Sequence, residues 1–327
     1  MRIVIAGAGA IGGYIGAKLT RAGADVVLHA RGPHLAAMRE RGLRVTSPEG
    51  DFEVRPRVTA DLASLGPADV VILGVKAHSL TALAPSLRPL LGPDTVVVST
   101  QNGVPWWYFQ GSGGELDGLI LERVDPGGVI AAAIEPRRVV GALAYFSTDL
   151  AAPGVIHHTE GNRISLGEPG GERSERVRRI AEALIAAGLR APATTRIRHE
   201  IWVKLLGNVA FNPISALTGA TLEEMVRHPE VAGVVRAVMT ETEAVAARLG
   251  IELPVSIDQR MAGAEKVGAH KTSMLQDHEA GRPMEIEAVV GAVVELGDRL
   301  GVAMPATRTV YGCVKLLDQH RDPRVRT

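Results

Sequence analysis

The sequence predicts an α/β N-terminal domain with a parallel sheet, residues 1–195, followed by an all-α C-terminal domain, residues 196–327. Three observations predict it. The chain opens on RIVIAG, a short run rich in β-branched residues, and a Gly-x-Gly-x-x-Gly turn follows at once. Further apolar, strand-like runs recur as far as RISLGE. After Thr195 nothing alternates as strands do, and apolar residues recur with helical spacing. With 327 residues the chain is too long for one ordinary domain and suits two.

The first unit has the order of a Rossmann-type fold. The turn Gly7-Ala8-Gly9-Ala10-Ile11-Gly12 joins the first strand to a helix, GYIGAKLTRAG, which stops at Gly23. DVVLHAR is the second strand. Strand, glycine turn, helix and strand in this span predict a dinucleotide-binding unit. Gly7 permits the tight turn, Gly9 lets the backbone approach a pyrophosphate, and Gly12 lets the helix lie close on the sheet. The helix N-terminus, at Ala10, Ile11 and Gly12, presents N–H groups and a positive dipole end to the anion. Where an NAD enzyme places Asp or Glu at the end of the second strand, this chain has Leu28-His29-Ala30-Arg31. The Arg31 fork can pair with a 2′-phosphate, so the expected cofactor is NADPH/NADP; as a plain surface residue it would simply be solvated. Asp25 stands at the wrong end of the strand for the ribose.

LRVTSPEGDFEV reads as a hairpin around Pro48-Glu49-Gly50. DVVILGVK and TVVVSTQNG read as central strands, with Lys76 and Gln101-Asn102-Gly103 at their C-terminal ends, where ligands of open α/β sheets collect. Taken alone, such a Lys can be merely solvated and Asn-Gly merely a turn. Trp106-Trp107-Tyr108-Phe109 stand in a row, in a chain with three Trp, four Tyr and four Phe. GSGGELDG and VDPGG follow and read as a flexible loop up to Gly128. The aromatics have three readings: a roof over the active site, an oligomer contact, or a hydrophobic cluster covering the sheet edge. VVGALAYFS, GVIHHT and RISLGE read as further strands, SERVRRIAEALIAAG as an amphipathic helix with Ser174 near its start, and RAPATT as a link.

The second half reads as four long helical runs, three of them followed by the stop signals Gly219, Gly250 and Gly301. An α/β domain followed by a helical one is expected to form its small-molecule site in the cleft between them. Within IWVKLLGNVAFNP, read as a helix ending at Pro213, Lys204, Asn208 and Asn212 are each four residues apart and lie on one stripe. Apolar residues cover the rest of the surface. Either Lys204 snorkels to water and the amides bond to backbone, or the stripe lines a cleft and does chemistry there.

Bulk properties exclude other classes. Lys+Arg and Asp+Glu are both 36, which gives no support for nucleic-acid or membrane-surface partners. One cysteine, Cys313, excludes an intrachain disulfide and is expected as an apolar packer in the last helix. No segment reads as a signal peptide or a membrane span, so a cytoplasmic location is expected. His157-His158 are adjacent on a strand and point to opposite faces, and no metal-ligand spacing appears, so no metal site is expected.

GAGAIGG, VKAHSL, QNG, IWVKLLGNVAFNPISALTG and KTSMLQDHEAGRPMEIE together, in this order, resemble the ketopantoate reductase (2-dehydropantoate 2-reductase) family over nearly the whole chain. The resemblance implies NADPH-dependent reduction of the ketone of ketopantoate to D-pantoate, in pantothenate and coenzyme A biosynthesis. It implies Lys204 as general acid and Asn208 and Asn212 as substrate ligands. It further implies Ser273 on the substrate carboxylate, Glu285 on the distal hydroxyl, and Lys76 and Asn102 around the nicotinamide. Glu287 lies beside the matched Glu285. The chemistry agrees, because ketone reduction develops negative charge on oxygen, which an ammonium stabilises and protonates. The stretch from Trp106 to Gly128 is longer than the family's usual connection and bears on which 2-oxo acid is taken. Rival readings are reduction of a different 2-oxo acid, an opine-forming or polyol-phosphate dehydrogenase, and a sensor that holds NADPH without turnover. Lys204 beside two amides argues against the sensor. A homodimer is possible through the apolar helices of the second half.

Overall fold

The computed structural model describes residues 1–320; residues 321–327, at the end of the expected second domain, lie outside the described residues. The chain forms two compact units. The first comprises Met1–Gln101, Pro105–Ile120 and Asp125–Ile197; the second comprises Asn102–Val104, Leu121–Val124 and Arg198 onwards.

The first unit is built on nine strands: β1 (Arg2–Ala6), β2 (Asp25–His29), β3 (Leu43–Thr46), β4 (Phe52–Val54), β5 (Arg57–Thr59), β6 (Ala68–Leu73), β7 (Leu91–Ser99), β8 (Val139–Ala152) and β9 (Val155–Gly167). They form one sheet in the order β4-β3-β9-β8-β7-β6-β1-β2-β5. Pairing is parallel except for β3 with β4 and β8 with β9. The helices of this unit are α1 (Ala10–Arg21), α2 (Gly32–Arg41), α3 (Ala77–Leu83), α4 (Val129–Ala133) and α5 (Glu175–Ala186). The central strands read as unbroken apolar runs because both faces are covered: Val4, Ile5, Val71, Leu73 and Val97 have no solvent exposure. Each such side chain contributes about 1.5–3 kcal/mol through burial.

Two expectations for this unit change. GVIHHT and RISLGE are one strand, β9. Gly161 takes φ 73° and the β8–β9 register shifts opposite it, so the glycine is absorbed as a bulge and the ladder continues. The stretch after Gly103 is also more structured than a free loop. Trp106, Trp107, Tyr108 and Phe109 are all buried, and the Trp107 ring lies so close to Gly141 of β8 that a Cβ there would come within 2.8 Å of it. Of the three readings, the cluster packed on the sheet matches this burial. The Gly118 N–H donates to the Phe109 carbonyl, and the buried Asp125 carboxylate accepts from the N–H groups of Ile130 and Ala131 at the start of α4.

Ser174 caps α5, its Oγ accepting from the Val177 N–H at 3.2 Å. The second unit is helical: α6 (Ile197–Thr218, entering it at Arg198), α7 (Leu222–Arg227), α8 (Pro229–Arg248), α9 (Ile257–Val267), α10 (Ser273–Glu279), α11 (Ala292–Leu300) and α12 (Pro305–Gln319). A π-helical turn, Glu287–Gly291, leads into α11. Around α8 pack α7, α9, α11 and α12. The Glu241 carboxylate of α8 accepts from the N–H groups of Ala306 and Thr307 and so caps α12.

The helix expected to stop at Pro213 runs on to Thr218. Pro213 removes one ladder bond and crowds the preceding turn, at about 3 kcal/mol. Residues on both sides of it, from Val209 to Ile214, are buried, and their packing outweighs that cost. Cys313 is exposed rather than packed. Val310, Tyr311 and Val314 form the buried face of α12, and position 313 falls off that face.

Candidate active site

In the second unit, Lys204 sits in the first half of α6 and is partly buried. Its Nζ donates to Asn102 Oδ1 at 2.9 Å, and Asn102 Nδ2 donates to Glu285 Oε2 at 3.3 Å. An ammonium, an amide and a carboxylate thus form a chain. Burial pushes the Lys204 ammonium down to about 8; the Glu285 carboxylate holds it up, and the Arg260 guanidinium lowers it. The group can therefore give up its proton near neutral pH, as a general acid must.

The backbone explains the placement. Asn102 lies three residues past β7, in the segment Asn102–Val104 that belongs to the second unit. There the Val104 N–H donates to the Ala288 carbonyl of the π turn at 2.9 Å. Gly103 has φ 85°, and a Cβ on it would overlap the Ala288 carbonyl and come within 2.9 Å of the Val289 nitrogen. Only glycine permits this approach, which brings Asn102 to Glu285, at the head of the π turn. The Asn-Gly pair is thus more than a hairpin turn. Replacing Gly103 by Ala is expected to displace Asn102 by about an ångström and lower kcat about a hundredfold. Steady-state kinetics, with near-UV circular dichroism to show an intact fold, would check this; unchanged kcat would mean that the Asn102 position is not critical.

Glu287 turns elsewhere. Its carboxylate accepts from the Tyr311 hydroxyl at 2.7 Å and pairs with Lys315 at 2.8 Å. Of the expected substrate ligands, Asn208 is partly buried and Asn212 is buried, on the same helix as Lys204. Ser273 is exposed at the first position of α10. The hydrogen bonds described here join Lys204, Asn102 and Glu285, and leave Asn208, Asn212 and Ser273 outside that chain.

In the first unit, Gly7 takes φ 103°, and α1 begins after Gly9 with neither a side-chain cap nor an acidic residue in its first turn. A Cβ on Gly12 would overlap the Gly7 carbonyl, whereas one on Gly9 would meet only the Gly74 carbonyl at 3.9 Å. The open space over Gly9, facing the uncapped helix start at Ala10 and Ile11, fits a pyrophosphate. Arg31 is exposed immediately beyond β2, and Asp25 at the other end of the strand pairs with Arg57 at 3.6 Å. No acid competes at the ribose position, as a 2′-phosphate requires. Lys76 is the partly buried N-cap residue of α3.

Three residues support the site, and the sequence shows the role of none of them, although it places Gln101 at a strand end. His34 of α2 bridges the Ala8 carbonyl (2.8 Å) and the Gly154 N–H (2.9 Å), which fixes the glycine turn from behind. Because Nδ1 accepts, the ring is neutral with its proton on Nε2, and burial holds its pKa below the usual histidine value. Gln101 donates to the carbonyls of Leu73 and Val75, at 2.9 and 3.0 Å, and so ties the ends of β6 and β7 together. Arg260 of α9 lies against Gly207 of α6. Only Gly207, inside a helix at about 1 kcal/mol relative to Ala, is visible as a trace of that approach in the sequence.

Family models described as ketopantoate reductase PanE/ApbA match residues 3–171, and those of its C-terminal part match residues 196–318. The chain belongs to the ketopantoate reductase family. A Mesorhizobium japonicum 2-dehydropantoate 2-reductase is 51% identical over 98% of this chain and 99% of its own length. A Ralstonia solanacearum protein assigned as a ketopantoate reductase has the same structure at 44% identity, with a TM-score of 0.94 over 98% of both chains. The 2-dehydropantoate 2-reductase of Methylococcus capsulatus superposes with a TM-score of 0.83 at 34% identity, again over 98% of each chain. Ketopantoate reductases are oxidoreductases, and the family match spans both units of the fold.

Proposed function

We propose that this protein reduces the ketone of 2-dehydropantoate to D-pantoate with NADPH, a step toward pantothenate and coenzyme A. The observation that carries the reading is the chain of hydrogen bonds from Lys204 through Asn102 to Glu285, in a protein of the ketopantoate reductase family. Gly7, Gly9, Ala10, Ile11 and Gly12 would hold the pyrophosphate, Arg31 the 2′-phosphate, and Lys76 and Asn102 the nicotinamide end. When bound, the cofactor supplies a hydride to the carbonyl carbon. Lys204 stabilises the charge growing on the ketone oxygen and then protonates it. Asn102 holds that ammonium in line, and its other end keeps Glu285 turned to the distal hydroxyl of the substrate. Asn208, Asn212 and Ser273 complete the substrate's polar contacts. A homodimer is part of the reading; Val234 of α8 and Leu316 of α12 are exposed apolar side chains that an interface would cover, and sedimentation velocity would decide. The same reading places the enzyme in the cytoplasm.

The test follows NADPH absorbance with ketopantoate beside pyruvate, 2-oxoisovalerate and oxaloacetate, repeated with NADH. Selective oxidation with ketopantoate is expected. Turnover of a different acid would move the substrate, and no turnover at all would overturn the reading. Replacing Arg31 by Ala is expected to raise KM for NADPH about tenfold and leave NADH unaffected, since a charge-assisted fork is lost only for the phosphorylated ribose. Equal changes with both cofactors would remove Arg31 from that role.

A further inference from the structure

Within the stretch from Trp106 to Gly128, the segment Leu121–Val124 belongs to the second unit, although the chain on either side of it belongs to the first. Its four residues make a β-turn, closed by the Val124 N–H on the Leu121 carbonyl at 3.0 Å. The central N–H groups, of Glu122 and Arg123, both donate to the Glu295 carboxylate of α11, one to each oxygen, at 3.1 and 3.0 Å. The Glu295 side chain is mostly buried, and Arg299 pairs with it at 3.1 Å. The β-turn is thus seated on α11 by two charge-assisted bonds, which fix where the Arg123 side chain starts. From there its guanidinium lies 3.7 Å from the carboxylate of Glu287, the first residue of the π turn. It also lies 5.7 Å from the centre of the Tyr311 ring. Tyr311 and Lys315 of α12 hold the same carboxylate, at 2.7 and 2.8 Å. That carboxylate folds back along the turn onto Gly291, where a Cβ would come within 2.5 Å of Glu287 Oε2. Groups from the β-turn and from α12 therefore close on one side chain of the π turn.

We propose that Glu287 is a positioning residue, held by Arg123 of the β-turn and by Tyr311 and Lys315, that keeps the π turn in the register placing Glu285 at the distal hydroxyl of the substrate. The inference rests on the function proposed above and gives the Trp106–Gly128 stretch a part in substrate choice. Glu287 acts through Glu285, which stands two residues before it, and not on the substrate itself. π turns are rare, and many lie at functional sites. Such a turn holds one residue more than an α turn. Relaxing it to α would rotate the chain before it by one residue, about 100°, and carry Glu285 away from Asn102. A 2-oxo acid without a distal hydroxyl has no use for Glu285, so its turnover separates this effect from a general loss of structure.

The test compares ketopantoate with 2-oxoisovalerate, which lacks the distal hydroxyl, in wild type, Glu287→Ala, Glu287→Gln and Glu295→Gln. Glu287→Ala is expected to lower the preference for ketopantoate, as a ratio of kcat/KM values, about tenfold and mainly through KM. Glu287→Gln still accepts from Tyr311 and is expected to restore most of that preference. Glu295→Gln weakens the seat of the β-turn on α11 and is expected to lower the preference about threefold. In a Glu285→Ala background the effect of Glu287→Ala on the ratio should vanish, because one residue acts through the other. Equal losses for the two acids, or additive losses in the double variant, would make Glu287 a purely structural residue and overturn the inference. Should Glu287→Ala fail to fold, Tyr311→Phe removes the 2.7 Å bond to the same carboxylate and carries the same comparison. Amide hydrogen exchange over residues 285–292 reads the turn without turnover. It is expected to quicken at least tenfold in Glu287→Ala and to a lesser degree in Glu295→Gln, and unchanged protection would overturn the inference. Faster exchange in the variants, with a wild type that does not prefer ketopantoate, would sink the substrate reading alone.

Discussion

Replacing Lys204 by Ala is expected to lower kcat about a thousandfold while leaving NADPH affinity nearly unchanged. A positioned general acid contributes about 10²–10⁴ in rate, and in the proposed mechanism the same ammonium also stabilises the developing oxyanion. The glycine turn proposed to hold the pyrophosphate lies in the first unit and Lys204 in the second, so the phosphate contacts are expected to remain. Stability should change little. The variant loses one hydrogen bond to Asn102, worth about 1 kcal/mol, but also loses a cation whose burial is unfavourable. In the proposed mechanism, reduction requires the protonated amine of Lys204. With Lys204 held at about 8, kcat/KM should be level below that pH and fall tenfold per unit above it. Stopped-flow single turnovers and cofactor fluorescence titrations separate chemistry from binding. Near-normal turnover in Lys204→Ala would end the assignment.

The second large effect is on the glycine turn. Replacing Gly12 by Ala is expected to destabilise the protein by about 3 kcal/mol, because the new methyl has no flexible neighbour to displace. It would overlap the Gly7 carbonyl and lie 3.0 Å from Ile5 Cγ2 and 3.1 Å from Gly74 Cα. Helix α1 must then lift from the sheet, which moves the N–H groups at its start and abolishes NADPH binding. The melting temperature should fall by about 6–12 °C. Calorimetry with and without NADPH checks both parts: wild type gains stability from the cofactor and the variant does not. A variant that melts like wild type and still binds would mean that α1 tolerates a wider spacing.

Much of the fold is legible in the sequence because its signals are local. A glycine turn after a β-branched run, apolar runs of strand length and helical apolar spacing each depend on a few neighbouring residues. The errors arose where tertiary packing overrode a local signal. Pro213 reads as a stop, yet both halves of α6 are buried and the helix continues. GVIHHT and RISLGE read as separate strands, yet the long ladder with β8 carries β9 through Gly161 between them. Cys313 reads as a packer, yet the buried face of α12 turns just past it.

From the sequence by itself follow the α/β-then-α order, the glycine turn after β1, Arg31 and no acid after β2, and the stripe of Lys204, Asn208 and Asn212. Helical and strand periods, and glycines at one strand's end, determine these. Only the tertiary structure decides which distant groups meet Lys204. Glu285 and Glu287 look alike two residues apart, but the π turn directs the first to Asn102 and the second to Tyr311 and Lys315. Asn102 is separated from Lys204 by 102 positions, and a glycine with no Cβ seats it on that same turn. Arg260 has no spacing relation to α6 at all; it lies against that helix because Gly207 leaves room for a guanidinium. Such contacts depend on close packing between segments far apart in the chain, which no local period encodes.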